Sequence, residues 1–531
     1  MIVNTEQFSR VQRIRLQGDE RFDECVGTLL KNCIEDPDHP NKYKRSLMAM
    51  CYFVTVYQYC CLPEERKVEF RAQFVEGLKR YKVSSSTMSL LHEKSDPCCK
   101  SELDLFTIPS TQMSILKGPW VEYHPVSSIT DSAPVEFNVS GTAEEYVDLS
   151  QTMLQVDVRV VDGNNAQLTA DAPVGPANLF LQSLFSQVDV MLNEKLVSQP
   201  TNTYPYRALM ETMLHYGQEA KHSQLTQQLY YKDEAGKMDV VDPTAADAEG
   251  NRGFKKRSQF IGGSKLLSML VPIYADLFFQ EKLLLPGVDL KIKLNRSKDA
   301  FCLMSSNQAA KYKVKIEKAA LYVRRVKTNP SVVVAHAKML EKSNAQYPIN
   351  KIDVRSFSIP AGSMSVNKDN LFLGHLPNRI IVGFVDNDAY NGSYAKNPYN
   401  FKHFRLNFIS VTVDGENIPM RPLRPNFATG SAQNYIHAYN SLFMGTNRLF
   451  TDKGINISRE EYCEGYTLFA FDLTPDLSDG CHLNLVKQGN LRLELQFDVP
   501  LTNTVNCLVL SESQGLIQID KHRNVIYEYQ S

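Results

Sequence analysis

The chain has 531 residues, of which 43% are hydrophobic and 22% charged, and its formal net charge is −1. That length predicts about three domains of about 100–200 residues each, and the composition excludes a disordered or fibrous protein. A surface built to neutralise phosphates throughout needs an excess of Lys and Arg, so any contact with nucleic acid is local and weak at most.

Met1 is followed by IVNTEQFSRVQRIRLQGDERF, which lacks the apolar centre of a secretion signal, so an unsecreted, intracellular chain is expected. Residues 1–87 read as a small helical region. Phe22, Cys25, Val26, Leu29, Leu30 and Cys33 recur at spacings of three and four, which places them on one helical face. A second helix fits the apolar run Leu47 to Leu62, whose 16 residues fall short of the about 20 needed to cross a bilayer. A third starts at Pro63, with Glu64 and Glu65 at the positive end of its dipole and a stripe of Phe70, Phe74, Leu78 and Tyr81. Seven of the eleven cysteines precede residue 100: Cys25, Cys33, Cys51, Cys60, Cys61, Cys98 and Cys99. Their spacings are not those of a zinc module, and reduced thiols packed in a core are expected.

From about residue 115 the apolar period changes from 3.6 to 2. Segments such as YVDLSQTMLQVDVRVVDGN, LFSQVDVML, VDLKIKLN, YKVKIEKAALYV, RLNFISVTV and NLRLELQFDV predict an all-β region. Tyr231 to Gly263 is rich in Asp, Ala and Gly and predicts a long exposed loop, with Arg252, Lys255, Lys256 and Arg257 as a solvated basic face. NPSVVVAHAKMLEKSN, Asn329 to Asn344, predicts one short helix between two β domains.

Within the β region the same pattern is written twice. SQVDVMLNEKLV (186–197) and ISVTVDGENIP (409–419) both read as strand, turn, strand. Phe185, Val188 and Val190 fall on Phe408, Val411 and Val413 at an offset of 223, and Val161–Asp162 falls on Val385–Asp386 at 224. Farther along, PGVDLKIKL resembles QGNLRLELQF, with Gly287 on Gly489 at an offset of 202, so the first half holds about 20 more residues in between. Three matches in one order predict a tandem duplication. Antiparallel sheets of about 200 residues must hide their edges, and a two-sheet jelly roll does so. The fold class expected is mainly β: two tandem eight-stranded jelly rolls, a double jelly roll, preceded by a small α-helical N-terminal region. Three such chains around a threefold axis approximate a hexagon, a shape that tiles.

The segments GPWVEYHPVSSITDSAPVEFNVSG, LFSQVDVMLNEKLVS, YPYRALMETMLHYG, LPGVDLKIKLNRSKDAFCLM, GYTLFAFDLTPDLS, KQGNLRLELQF and IDKHRNVIYEY span nearly all of residues 100–531. The sequence they carry resembles the double jelly-roll major capsid proteins of the adenovirus-hexon lineage, and most closely the capsid proteins of Polinton (Maverick) elements and adintovirus-like viruses. The resemblance implies a structural protein without catalysis: a homotrimeric, pseudo-hexameric capsomer in an icosahedral shell around double-stranded DNA. It implies a penton-type minor capsid protein as partner and the virion as location, with the loops of the first half, 231–263 included, facing outward. Residues 1–87 depart from the pattern and read as a possible fused host exon, with the family-like part starting at Met88. The implied organisation is an arm over 88–117, a first jelly roll over 118–330, a helical linker over 331–344 and a second jelly roll over 345–531. Two rivals are a domesticated intracellular oligomer that forms no particles, and a double jelly-roll hydrolase or carbohydrate-binding protein.

Enzymatic chemistry finds little purchase. A cupin-like metal site needs closely spaced histidines, and no two of His124, His215, His222, His336, His375, His403, His437, His482 and His522 lie within five residues. IGGSK (261–265) lacks the frame of a phosphate-binding loop, and DND (386–388) and DGEN (414–417) have the residues of turns. No catalytic, cofactor-binding or metal-binding residue is assigned, and no cofactor is expected.

Overall fold

In Leu290–Arg296 the side chains of Leu290, Ile292 and Leu294 are buried and those between them half-buried, a period of two that gives a strand one dry face and one wetter one. The computed structural model describes residues 101–527, apart from 104, 106–107, 132, 247–248, 429–432, 478–481 and 486. The helices and the seven cysteines expected before residue 100 lie outside the described residues. Residues 113–531 form one unit, and it contains both β halves.

The first half runs through β1 (Ile115–Lys117), β2 (Trp120–Tyr123), β3 (Val135–Val139), β4 (Glu145–Asp162), β5 (Val174–Pro176), β6 (Phe185–Leu192), β7 (Lys195–Leu196), β8 (Leu267–Pro272), β9 (Leu290–Arg296), β10 (Leu303–Ser305) and β11 (Tyr312–Thr328). The second runs through β12 (Ala345–Ile359), β13 (Ser365–His375), β14 (Arg379–Asp386), β15 (Leu406–Val413), β16 (Glu416–Leu423), β17 (Leu468–Asp472), β18 (Gln488–Phe497), β19 (Val505–Ile519) and β20 (Val525–Tyr527). Five helices matter below: α1 (Tyr204–His215), α2 (Arg252–Ile261), α3 (Pro330–Leu340), α4 (Ile436–Gly445) and α5 (Arg459–Cys463). α3 fills the stretch between the halves, with Pro330 in its first turn and Asn329 capping the Ser331 amide.

Strand order shows one fold made twice. In the second half the sheets are β12-β19-β14-β17 and β13-β18-β15-β16. Counting β12 to β19 as strands one to eight, these orders are 1-8-3-6 and 2-7-4-5. In the first half they are β1-β11-β4-β8, with β2 also on β11, and β3-β9-β6-β7. With β1 and β2 sharing the first position and the small β5–β10 ribbon set aside, the orders are again 1-8-3-6 and 2-7-4-5. Each half is therefore a jelly roll, and the double jelly roll expected from the sequence is the observed fold.

Pairing corrects the register of the repeat. The fourth and fifth strands join through two-residue turns, Leu192 opposite Lys195 and Val413 opposite Glu416. Asn193 and Glu194 have φ of 43° and 64°, Asp414 and Gly415 of 48° and 92°, so both turns have the left-handed pair that fits the twist of the flanking strands. The Asn193 amide donates to the Asp289 carbonyl at 3.0 Å and the Asp414 amide to that of Asn490 at 3.2 Å. The turns are thus 221 residues apart (414 − 193), not 223. Val188 corresponds to Ile409, since they face Leu294 and Leu495. A slip of two keeps every side chain on its face, and alternation alone cannot detect it. At the seventh strand Leu290, Ile292 and Leu294 correspond to Leu491, Leu493 and Leu495, an offset of 201 (491 − 290), because they face the matched residues Leu192/Val413, Val190/Val411 and Val188/Ile409. Aligning Gly287 with Gly489 would have put a core leucine opposite an arginine. The offset of 224 stands: Asp162 and Asp386 both end their strands, opposite Tyr312 and Val505.

Candidate functional site at the seam between the rolls

The two rolls share their interior. Tyr347, Ile349, Ile517, Ile519 and Tyr527 of the second roll belong to the core of the first, while Tyr206, Met210, Met213 and Phe301 of the first belong to the core of the second. α1 sits in this seam and is buried from Tyr204 to Leu214. An all-buried helix carrying Arg207 and Glu211 must satisfy them inside, because an unpaired charge there is costly. Arg207 donates to Glu211 at 2.6 Å, to Asp276 at 2.5 Å and to the Ile352 carbonyl at 3.2 Å, and Asp276 accepts from the Ile352 amide at 3.1 Å. One guanidinium thus ties first-roll carboxylates to a second-roll strand. Burial pushes the Glu211 and Asp276 carboxyls above the usual range, against the pull of Arg207. Beside them Tyr206 stacks on Tyr390 and meets Phe301 and Tyr399 edge to face.

The stretch 231–263 is not an exposed loop. It folds over the second roll as a strap, and the basic cluster in it divides: Arg252 is exposed and paired with Glu234, whereas Arg257 is fully buried. Arg257 lies on the inner side of α2, where it donates to Asp233 at 2.7 Å and to the carbonyls of Pro176 and Tyr231. Asp233 also accepts from Asn251 at 2.8 Å and from Asn397 of the second roll at 3.0 Å, and its carbonyl takes the Tyr466 hydroxyl at 2.6 Å. Polar residues that looked solvent-facing are the fasteners. Lys232 reaches Glu461 of α5 at 2.6 Å, and Lys402 lies between Asp239 and Asp386 at 2.8 and 2.7 Å. Lys221, just after α1, is buried and donates to the carbonyls of Met213 and Ile455, at 2.8 and 2.6 Å. Its burial, with Lys232 nearby, pushes its pKa down to about 7.

A cavity of about 490 Å³ lies under the strap, lined among others by Met238, Asn400, His403, Arg405 and Glu464. His403 stacks on Phe427 at 4.3 Å, and burial holds its pKa down to about 4, so the ring is neutral at ordinary pH. The other histidines stay apart: His336 meets the Tyr146 hydroxyl at 2.7 Å, His482 meets Asp476 at 2.8 Å, and His215 is 3.7 Å from Glu512. Among the described residues no group of three or more His, Cys, Asp and Glu is arranged to hold a metal ion. In DND, Asp386 and Asp388 face Lys402 and Lys396; in DGEN, Asp414 opens the two-residue turn and accepts from the Asn490 amide. Gly263 of IGGSK takes a φ of 67°, and Ser264 bridges the Leu168 amide and the Val160 carbonyl. Cys302 and Cys507 are buried free thiols. Sequence reasoning passed over Arg207, Asp233 and Asp276 and placed Arg257 on a solvated face, where the structure buries it. The signal for Arg207 was present, a charged pair four residues apart inside the apolar run YPYRALMETMLH.

No protein-family model matches the chain. An uncharacterized protein of Caenorhabditis elegans is 26% identical over 435 residues, which cover 79% of this chain and 99% of that protein. Among solved structures, a chain of the Sputnik virophage cryo-EM structure superposes with a TM-score of 0.57 at 13% identity, covering 82% of this chain and 93% of that one. A chain of the quasi-atomic model of the PBCV-1 virus capsid superposes with a TM-score of 0.50 at 10% identity, covering 80% and 100%. At these identities the likeness is one of fold: two jelly rolls in one chain, side by side, shared with chains that come from virus particles.

Proposed function

We propose that this chain is a major capsid protein of the hexon lineage. It works by geometry: three copies close into a pseudo-hexameric capsomer, and capsomers tile an icosahedral shell around double-stranded DNA. The observation that carries this reading is the repeated strand order, 1-8-3-6 over 2-7-4-5, in two rolls fused through a shared core. Two like rolls in one rigid chain give each protomer two nearly equal footprints, and closed threefold symmetry turns them into six. The virus-particle origin of the two structural neighbours supports it. In this role the protein has no catalytic step; its partners are other copies of itself and a penton-type minor capsid protein, its contact with DNA is weak, and its location is the virion. The gene would be carried by an integrated Polinton-like element. The functional part is residues 88–531, and residues 1–87 are a separate upstream segment.

Electron microscopy of the purified full-length chain tests this. Threefold particles of hexagonal outline, and closed shells on concentration, are the expected result; a monomer at every concentration overturns it. A second reading, an oligomer that has lost particle assembly, is favoured by the likeness to a nematode protein. It predicts trimers without shells under conditions where shells are sought.

A further inference from the structure

The same connection exists twice in this chain, in two different situations. Between the fifth and sixth strands of the first roll the chain forms α1, which the second roll buries. Between the fifth and sixth strands of the second roll it forms α4. The two helices enter alike: Thr203 before α1 has φ −116° and ψ 14°, and Tyr435 before α4 has φ −126° and ψ 8°. Their fates differ. In α4 only Ala438, Leu442 and Gly445 are buried, against the sixth strand β17. Ile436 and Met444 stay 42% and 51% exposed, and just beyond the helix Leu449 and Phe450 are 40% and 95% exposed.

What buries α1 is the next roll along the chain, and among the described residues no third roll stands against α4. In a ring that alternates first and second rolls, the roll that follows is the first roll of another copy. We infer that the outer face of α4, with the loop through Phe450, is the seat for the first roll of a second copy of this chain. The contact inside the chain also names the matching part of that copy. The strap of the first roll fastens onto the connection between the third and fourth strands of the second roll, where Asn397, Asn400 and Lys402 meet Asp233 and Asp239. The equivalent connection of the first roll is 163–184, between β4 and β6. Its leading part, with Asn164, Asn165, Ala166, Gln167, Thr169 and Ala170, is exposed and uncharged and is bordered by the exposed Asp171, so an apolar knob such as Phe450 can dock on it while that carboxylate stays at the wet rim.

The inference rests on the capsomer reading, and the test separates the two. Full-length wild type and the variants Met444→Asp and Phe450→Asp are compared by sedimentation velocity and native mass spectrometry, with circular dichroism at low temperature as a control on folding. The expected result is a wild-type trimer and self-association weakened by about 30-fold or more in each variant, with the circular dichroism spectrum unchanged because both side chains are on the surface. A photo-crosslinking phenylalanine analogue at position 450 should join copies through residues 163–184. A wild-type trimer whose variants associate equally well, or crosslinks that land elsewhere, overturns this inference alone. A wild-type chain that stays monomeric overturns the capsomer reading with it.

Discussion

Arg257 and Arg252 are five residues apart in the same helix, and the structure gives them opposite weights. Removing the buried partner leaves Asp233 as an uncompensated charge among Asn251, Asn397 and Tyr466, so Arg257→Met is expected to destabilise by about 3 kcal/mol or more. Arg252 is 73% exposed beside Glu234, and Arg252→Ala should change stability by about 1 kcal/mol at most. Chemical denaturation of both variants against wild type checks the contrast, and equal losses would contradict it. Lys221 adds a pH dependence. Its pKa in the folded chain is about 7, against an ordinary value near 10.5. Below the lower value both folded and unfolded chains hold the proton. Between the two, the unfolded chain still holds a proton that the folded chain has shed, so stability rises with pH across that window. The difference between wild type and Lys221→Met should therefore shift in favour of wild type from pH 7 to pH 9, with Lys232 and Glu461 as the neighbouring charges. A difference independent of pH would rule this out. None of this weighting is legible in the run GFKKRSQF: three basic residues in a row look alike until a helix turns one inward.

At the scale of elements, the turn between the fourth and fifth strands depends on backbone geometry more than on contacts. Gly415 has φ of +92°, and a Cβ there meets nothing within 4 Å, so a side chain has room but the wrong backbone. A β-branched residue is strained at that φ, and Gly415→Val is expected to lose about 1–2 kcal/mol of stability and fray β16. Hydrogen exchange in Glu416–Leu423 faster than wild type, with β19 unchanged, is the signature; a silent substitution would mean that the turn relaxes to another type. The DGEN sequence announced this turn, and its two-residue spacing was readable. The register was not, because a shift of two residues leaves the alternation of Phe408, Ile409 and Val411 equally plausible. The strap was misread for a related reason. Its Asp, Ala and Gly content predicts poor burial of apolar surface, but Asp233 is buried by bonding to Asn397 across the seam, and inside the strap Gly253 lies so close to the Lys232 carbonyl that a Cβ would be 2.2 Å away.

At the scale of the molecule, the duplication was legible because strands carry a period, a turn chemistry and an order, and all three recur. The fusion of the two copies was not, because the residues that make it, Tyr206, Met213, Tyr347 and Ile517, read as ordinary core of their own rolls. That fusion has a measurable consequence. Neither roll has a complete core alone: β12 and β19 of the second contribute Tyr347, Ile349, Ile517 and Ile519 to the first, and α1 of the first fills the second. Opening one roll therefore exposes apolar surface of the other, and the hydrogen bonds of Arg207 and Asp276 to Ile352 are broken in the same event. Slowly exchanging amides of β4 and β11 should share one opening free energy with those of β14 and β19 when the full chain is followed by hydrogen exchange under increasing denaturant. Asp276→Ala removes the acceptor of the Ile352 amide, weakening the link between the rolls without altering a strand residue, and should split the two sets. Two sets that open at different denaturant concentrations in wild type would mean that the rolls are independent domains joined by α3, and that the fold does not hold the two rolls as one cooperative block.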